Sequence, residues 1–183
     1  MECIVSLLMD LRNYLTNQEM DGGYFSTKHE GTLIAVAMDT AEDAAEAMLA
    51  YERATFEPDA FGDNYLRLYG FLQAVFLQQD ALEKLQSCFP VSTLDIREMS
   101  GWQTIRKLRN RTIGHPVKRG EFERIFLTRV SLNQWFFQYQ IWNDKSQTFT
   151  FHDANLMQDY EAYKHDAARL LREILATLPE DVA

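Results

Sequence analysis

One apolar segment constrains the fold of this chain more than any other feature. Between residues 65 and 89, large apolar side chains recur at three- and four-residue steps, which is the spacing of one helix face. These side chains are Leu68, Phe71, Leu72, Val75, Phe76, Leu82, Leu85 and Phe89. Further apolar residues extend the surface around nearly the whole circumference, namely Leu66, Tyr69, Ala74, Leu77 and Ala81. Such a helix lies centrally in a fold or in a subunit interface, and Pro90 ends it.

Two helices are predicted before this segment. Apolar residues between positions 4 and 15 form one stripe at helical spacing. A second helix falls within residues 32–56, a segment rich in Ala, Glu and Met. Thr40, with Asp43 three residues later, resembles an N-terminal cap of that helix.

Further helices and strands are predicted after Pro90. A fourth helical stretch starts around Ser92, with Asp95 placed to complete a cap, and ends by Gly114 in a left-handed cap. Residues 122–151 are rich in β-branched and aromatic side chains and contain a turn signal, which predicts a small antiparallel meander of two or three strands. The last helix runs from about residue 155 to residue 178. The expected fold is mainly α, one domain over residues 1–183, with about five helices and a β-meander before the C-terminal helix.

Charge and cysteine content exclude several function classes. The net charge is -9, so the whole molecule is no general binder of nucleic acids or anionic membranes. Cys3 and Cys88 are the two cysteines, and the sequence has no cluster of Cys and His at metal-ligand spacing. No metal and no cofactor are therefore predicted. An acidic start and the lack of a long apolar run favour a cytoplasmic protein without a membrane segment.

Positive charge is concentrated in one segment of this acidic chain. Residues 99–120 contain no Asp or Glu but six basic residues, Arg106, Lys107, Arg109, Arg111, Lys118 and Arg119. The rest of the chain has 12 basic residues against 27 acidic ones. This segment attracts an anionic ligand, or it is a solvated helix face that pairs with acidic neighbours.

The segment places an arginine and a histidine close together at a predicted helix end. Arg109 is followed by Asn110 and, after four more residues, by His115. Arginine offers a planar fork of donors that matches a phosphate, and histidine exchanges a proton near neutral pH. These two groups supply what metal-independent cleavage of an RNA phosphodiester requires, which is charge stabilisation and proton transfer.

The spacing of Arg109, Asn110 and His115 resembles the R-x(4–6)-H motif of the HEPN superfamily (higher eukaryote and prokaryote nucleotide-binding domains). The resemblance covers about residues 63–116. It implies a HEPN-like helical bundle, commonly a homodimer, and in many members a metal-independent ribonuclease whose paired motifs face each other across the dimer interface. Such proteins are often toxins or defence effectors, which implies an antitoxin or a nucleotidyltransferase as a partner.

The resemblance also assigns roles to individual residues. Arg109 would bind and polarise the scissile phosphate of RNA, His115 would transfer a proton, and Asn110 would orient the histidine or the substrate. Secondary contacts to phosphates would come from nearby basic residues, Arg106, Arg111 and Lys118. Asp80, on the central helix, would orient His115 or Arg109, or it is a partly exposed helix charge.

Two other interpretations of the chain remain open at the level of sequence. In the first, the chain is a non-catalytic HEPN-like module that binds a nucleotide, an RNA or a protein. In the second, it is a helical dimerisation protein with no role on nucleic acids. If the two residues have only structural roles, Arg109 forms a surface salt bridge and His115 caps helix-end carbonyl groups.

Overall fold

The long apolar segment forms helix α3, which spans Phe61–Cys88 and packs mainly along α2, Lys28–Glu52. The computed structural model describes residues 1–20, 27–91, 94–114 and 122–179. Pro90 follows α3 directly, and Phe89 at its C-terminal end is extended. The predicted helix is therefore confirmed, and it begins four residues earlier than the apolar spacing indicates.

Within the described residues the chain is mainly helical. Its regular elements are α1 (Glu2–Met20), α2, α3, α4 (Ser100–Arg109), β1 (Glu123–Leu127), β2 (Phe136–Asn143), β3 (Thr148–Asn155) and α5 (Leu156–Ala176). Short 3₁₀ turns cover Ile96–Glu98 and Arg129–Ser131, and a π-helical turn follows α4. The predicted fold class, about five helices with a small antiparallel sheet before the C-terminal helix, is confirmed. No helix in the described ranges has the length and apolar character needed to cross a membrane.

Two buried glutamines fix α3 among its neighbours. The Gln78 amide donates to the carbonyl oxygen of Ala41 on α2 at 2.9 Å, and Tyr163 of α5 donates its hydroxyl to Gln78 Oε1 at 2.7 Å. Gln79 donates to the Trp102 carbonyl of α4 at 2.9 Å. Each bond crosses between helices in a water-free interior, where an unmade hydrogen bond costs about 1–3 kcal/mol. These bonds therefore fix both the rotation and the height of α3.

Helix α2 starts earlier than the sequence suggests. Thr27 is its N-cap and accepts a hydrogen bond from the backbone N–H of Glu30 at 3.1 Å. The prediction that Thr40 caps this helix is wrong, because Thr40 lies inside it and donates its hydroxyl to the Val36 carbonyl at 2.8 Å. A threonine can satisfy its hydroxyl in this way within a helix, so a cap-like spacing alone does not define a helix start.

The first turn of α4 is held against α5 by a hydrogen bond. Asp95 caps the short 3₁₀ turn, with Oδ1 3.0 Å from the Arg97 backbone nitrogen, and the extended Met99 separates that turn from α4. The predicted single helix from Ser92 is therefore wrong in its start, and Ser92 itself lies outside the described residues. Trp102 donates its backbone N–H to Asp166 Oδ2 of α5 at 2.9 Å. This bond satisfies a free donor in the first turn of α4.

The strands form one antiparallel sheet in the order β1, β2, β3. Ile125, Phe137, Tyr139 and Ala154 on its inner face are buried, as expected from the alternating sequence of β2. The outer face carries exposed aromatic rings, Phe126, Phe149 and Phe151. Gln147 ends the turn between β2 and β3 with φ of 55°.

Buried tyrosines predict a loss of stability in alkaline solution. Burial raises the pKa of Tyr51, Tyr160 and Tyr163, and for Tyr160 the negative charge of Glu52 raises it further. Above about pH 10 the unfolded chain releases these protons while the folded chain keeps them, so stability falls by about 1.4 kcal/mol per pH unit for each such tyrosine. Urea unfolding between pH 8 and pH 11 measures this slope. Tyr160→Phe should have a shallower slope than the wild type, and an unchanged slope would contradict the assignment.

Candidate functional site

The Arg109 side chain lies at the end of α4 against the surface of α3. Its Nη2 donates to Gln73 Oε1 at 2.7 Å, and its Nη1 donates to Asn110 Oδ1 at 3.0 Å. The guanidinium carbon is 4.1 Å from the centroid of the Phe76 ring, over which the group is positioned. Two neutral acceptors and one aromatic ring thus hold the group in place.

The charge of Arg109 is left unneutralised by the side chains that hold it. No carboxylate among the described residues forms an ion pair with Arg109. Arg106, one helical turn earlier, is over the same Phe76 ring but pairs with Asp80 at 2.8 Å and with Glu83 at 3.7 Å. The two arginines therefore differ, because Arg106 pairs with acidic neighbours, whereas Arg109 pairs with no carboxylate in the part of the chain that the structure describes.

The surroundings of Arg109 favour the approach of an anion. Burial lowers the pKa of Arg109, and the nearby positive charge of Arg106 lowers it further, while Asp80 acts in the opposite direction. The group stays protonated at neutral pH, since arginine is not deprotonated in proteins. Its Nε is buried and has no hydrogen-bond partner among the described residues. A bound anion at this guanidinium would relieve both the desolvation of the cation and the repulsion from Arg106.

A π-helical turn, Asn110–Gly114, replaces the expected simple end of α4. In such a turn residue i bonds to residue i+5, which brings Gly114 back to Arg109. A Cβ atom at Gly114 would lie 3.0 Å from Arg109 Nη1. The prediction that Gly114 is a left-handed cap is wrong, since its φ is outside that region. A side chain at this position would require the Arg109 guanidinium to shift by a small distance.

The remaining predicted site residues divide into separate groups. Asn110 contacts Arg109 directly, and Asp80 contacts Arg106 but forms no hydrogen bond to Arg109. Arg111 lies on another side of the motif-bearing segment, where its Nη1 donates to the Tyr139 hydroxyl of β2 at 3.0 Å. His115 directly follows Gly114 in the sequence. Both His115 and Lys118 lie outside the described residues.

An exposed apolar stripe runs along α3 beside the Arg109 site. Leu66, Tyr69 and Leu77 are 72%, 43% and 42% exposed and lie at helical spacing with Gln73 and Asp80. We call these five residues the α3 stripe. It is the outer side of the helix whose inner side forms the core. Because Gln73 belongs to this stripe and accepts a hydrogen bond from Arg109, the Arg109 side chain lies at an apolar surface.

Gln73 and Phe76 are functional candidates that the sequence reading did not single out. Gln73 is a polar residue within an apolar helix, and Phe76 counted as one more core side chain at helical spacing. In the structure both contact Arg109. The available signal was the seven-residue spacing of Gln73 and Asp80, which places both on one outward face of α3.

The geometry of Arg109 is the basis for any functional assignment of this chain. Among the described residues no group of three or more His, Cys, Asp or Glu side chains is arranged to hold a metal ion. Neither a protein-family model nor a curated protein nor a solved structure matches this chain.

Proposed function

We propose that the protein is a metal-independent endoribonuclease of the HEPN type, with Arg109 and His115 as its working pair. The observation that carries the proposal is the Arg109 guanidinium, which is held by neutral partners, pairs with no carboxylate among the described residues and lies near Gly114, the residue next to His115. Arg106, by contrast, pairs with Asp80 of α3. The toxin or defence role implied by the resemblance is the biological setting that we propose for this activity.

The proposed reaction is attack of a ribose 2′-hydroxyl on the adjacent phosphorus. The bond between the 2′-oxygen and phosphorus forms, and the bond between phosphorus and the 5′-oxygen of the next nucleotide breaks. Arg109 stabilises the negative charge that grows on the non-bridging oxygens. His115 accepts the 2′-hydroxyl proton as a general base, and a second imidazole donates a proton to the leaving oxygen. The products are a 2′,3′-cyclic phosphate and a 5′-hydroxyl.

The second imidazole is proposed to come from another copy of the chain. The α3 stripe supports this arrangement, because it presents exposed apolar side chains next to the Arg109 site. A two-fold dimer buries the same patch on both copies. Packing of two α3 stripes would therefore bring two Arg109 sites to one interface.

Leu77→Glu tests this dimer. A charge in the centre of a desolvated apolar patch opposes association, so we expect the variant to have half the solution mass of the wild type or less. Light scattering coupled to gel filtration measures the mass. Val130→Glu is the control, because Val130 is 91% exposed and lies outside the stripe. The control should keep the mass of the wild type, and an unchanged mass for Leu77→Glu would contradict the use of the stripe.

The chemistry itself is tested from the side of the substrate. A labelled single-stranded RNA that the wild type cleaves at one position should become resistant there when a single 2′-deoxy nucleotide replaces the attacking ribose. Cleavage should persist in EDTA, and mass spectrometry should find a cyclic phosphate on the upstream product. A 2′-deoxy substitution one nucleotide away is the matched control and should be cleaved normally. Binding of RNA without cleavage would overturn the proposal and favour the non-catalytic module.

A further inference from the structure

Strand β3 forms an open edge of the sheet. The sheet order places β2 on one side of β3 and no strand on its other side within the described residues. Four successive residues, Thr148 to Phe151, are exposed, including Phe149 at 52% and Phe151 at 62%. Alternate residues of an edge strand direct backbone N–H and C=O groups away from the sheet, where they remain free to pair.

This edge lacks the features that normally prevent strands of different molecules from pairing. Proteins protect such edges with charged side chains, prolines or β-bulges. The segment 146–151 contains neither a charge nor a proline, and β3 pairs with β2 residue for residue without a bulge. The opposite edge, β1, carries Glu123 and Arg124 and contacts the π-helical turn. The absence of protection is thus confined to the first half of β3, before the charged Asp153, and indicates an interface.

The charges around this edge argue against a nucleic acid as its ligand. Binding of RNA to an aromatic sheet requires free cations that follow the phosphates. Arg124, on the same outer face, is paired with Asp144 at 3.1 Å, and the exposed part of β3 has no Lys or Arg. An uncharged strand segment with alternating aromatic residues fits this edge better, and Thr148 to Phe151 of β3 is such a segment.

We propose that β3 pairs antiparallel with β3 of a second copy, with the two-fold axis at Thr150. In this register Phe149 lies opposite Phe151 of the other copy, and Thr148 lies opposite His152. A shift of the axis to Phe151 would place Phe149 opposite the charged Asp153. A shift to Phe149 would place Phe151 opposite Gln147, which precedes the strand and has a left-handed backbone. The Thr150 register is the one that matches both phenylalanines with phenylalanines.

Pairing would also extend the aromatic outer face of the sheet. Trp142 and Phe149 have ring centroids 4.7 Å apart, and Phe126 is 6.4 Å from Phe149. In a six-stranded sheet the Phe149 and Phe151 rings of both copies would join these clusters into one apolar layer. Removal of exposed aromatic surface from water and the new backbone hydrogen bonds would then stabilise the same arrangement. This interface is separate from the α3 stripe and does not depend on the proposed ribonuclease activity.

Cysteine crosslinking tests the register directly. In a background with Cys3→Ser and Cys88→Ser, Thr150→Cys lies opposite itself across the axis, at a distance that a disulfide can bridge with small adjustments. Incubation of the folded protein with oxidised glutathione should give a covalent dimer on a non-reducing gel. A mixture of Thr148→Cys and His152→Cys copies should crosslink as heterodimers. We expect yields at least tenfold above those of the Val130→Cys control, which reports random collision.

Other yields would overturn the proposal. Thr148→Cys alone should not exceed the collision control, because its counterpart in the other copy is His152. Crosslinking of Thr148→Cys as strong as that of Thr150→Cys would show another register or an unspecific association. Phe151→Lys combined with Thr150→Cys provides a further check, since loss of both phenylalanine pairs and the new like charges should reduce the yield about tenfold or more. An unchanged yield, or no crosslink at Thr150 in a folded protein, would exclude the pairing.

Discussion

Arg109→Ala is expected to lower the rate of RNA cleavage by about 10²–10³-fold, the loss typical for removal of one donor to a developing oxyanion. The reason is the geometry of the guanidinium, which Gln73 and Asn110 orient and which no described carboxylate neutralises. The folded state should be little affected, because the lost hydrogen bonds are at the surface. Single-turnover cleavage of a labelled RNA measures the rate, and thermal unfolding reports the fold.

Two variants distinguish the role of the Arg109 guanidinium from the effect of its positive charge alone. Lys107→Ala removes the same charge from an exposed residue that bonds to Gln103, and it should cleave RNA within about threefold of the wild type. Arg109→Lys keeps the charge but loses the planar fork and the stacking on Phe76. We expect it to remain at least tenfold impaired. Equal rates for Arg109→Ala and Lys107→Ala would contradict a catalytic role of Arg109.

His115→Ala extends this series to the second member of the pair. We expect a loss of the same order or larger, with RNA binding retained, because the imidazole transfers a proton and need not hold the substrate. The double variant Arg109→Ala, His115→Ala should lose less than the product of the two single losses, since both groups act on one transition state. Full multiplicativity would indicate that the two residues act independently.

Gly101→Ala is expected to destabilise the fold by about 3 kcal/mol or more, at the upper end of the range for overpacked positions. A Cβ atom on Gly101 would lie 2.4 Å from the carbonyl carbon of Ala162 and 2.8 Å from Asp166 Oδ2. Both are atoms of α5, and the first belongs to its backbone, so a change of side-chain rotamer cannot make room. Helices α4 and α5 would have to separate, which would also lengthen the bond from Trp102 to Asp166. Thermal unfolding should show a decrease of about 6–12 °C.

Gly62→Ala is the matched control for this substitution. Gly62 is also the second residue of its helix, α3, but no atom lies within 4 Å of the position that a Cβ would take. Alanine there should leave stability unchanged or raise it by up to about 1 kcal/mol, because alanine loses less backbone entropy than glycine in a helix. A similar loss of stability in both variants would show that the contact with α5 is not the cause.

The elements that could be predicted from sequence are those whose apolar period is long. Helix α3 repeats its buried side chains over about six turns, and the alternation of Phe137 and Tyr139 identifies the inner face of β2. Short sequence signals, such as the spacing of a helix cap, were less reliable. Thr40 has the spacing of a cap but lies inside α2, because the helix is capped by Thr27, thirteen residues earlier.

The candidate site was only partly readable from the sequence. Arg109 and Asn110 could be named because the motif is local, whereas Gln73 and Phe76 are more than thirty residues away and meet Arg109 through helix packing. The pairing of Arg106 with Asp80, which distinguishes it from Arg109, also arises between helices. The sequence analysis predicted a left-handed cap at Gly114 and did not find the π-helical turn.

Helix α3 connects the interior with the surface site, because it carries both the buried glutamines and Gln73. The hydrogen bonds of Gln78 and Gln79 fix the rotation of α3 about its own axis. The same rotation directs Gln73 outward, where it accepts a hydrogen bond from Arg109. The orientation of the Arg109 guanidinium therefore depends on hydrogen bonds in the interior of the protein. A substitution at Gln78 that leaves the protein folded would still rotate α3 slightly and so displace the groups that hold Arg109.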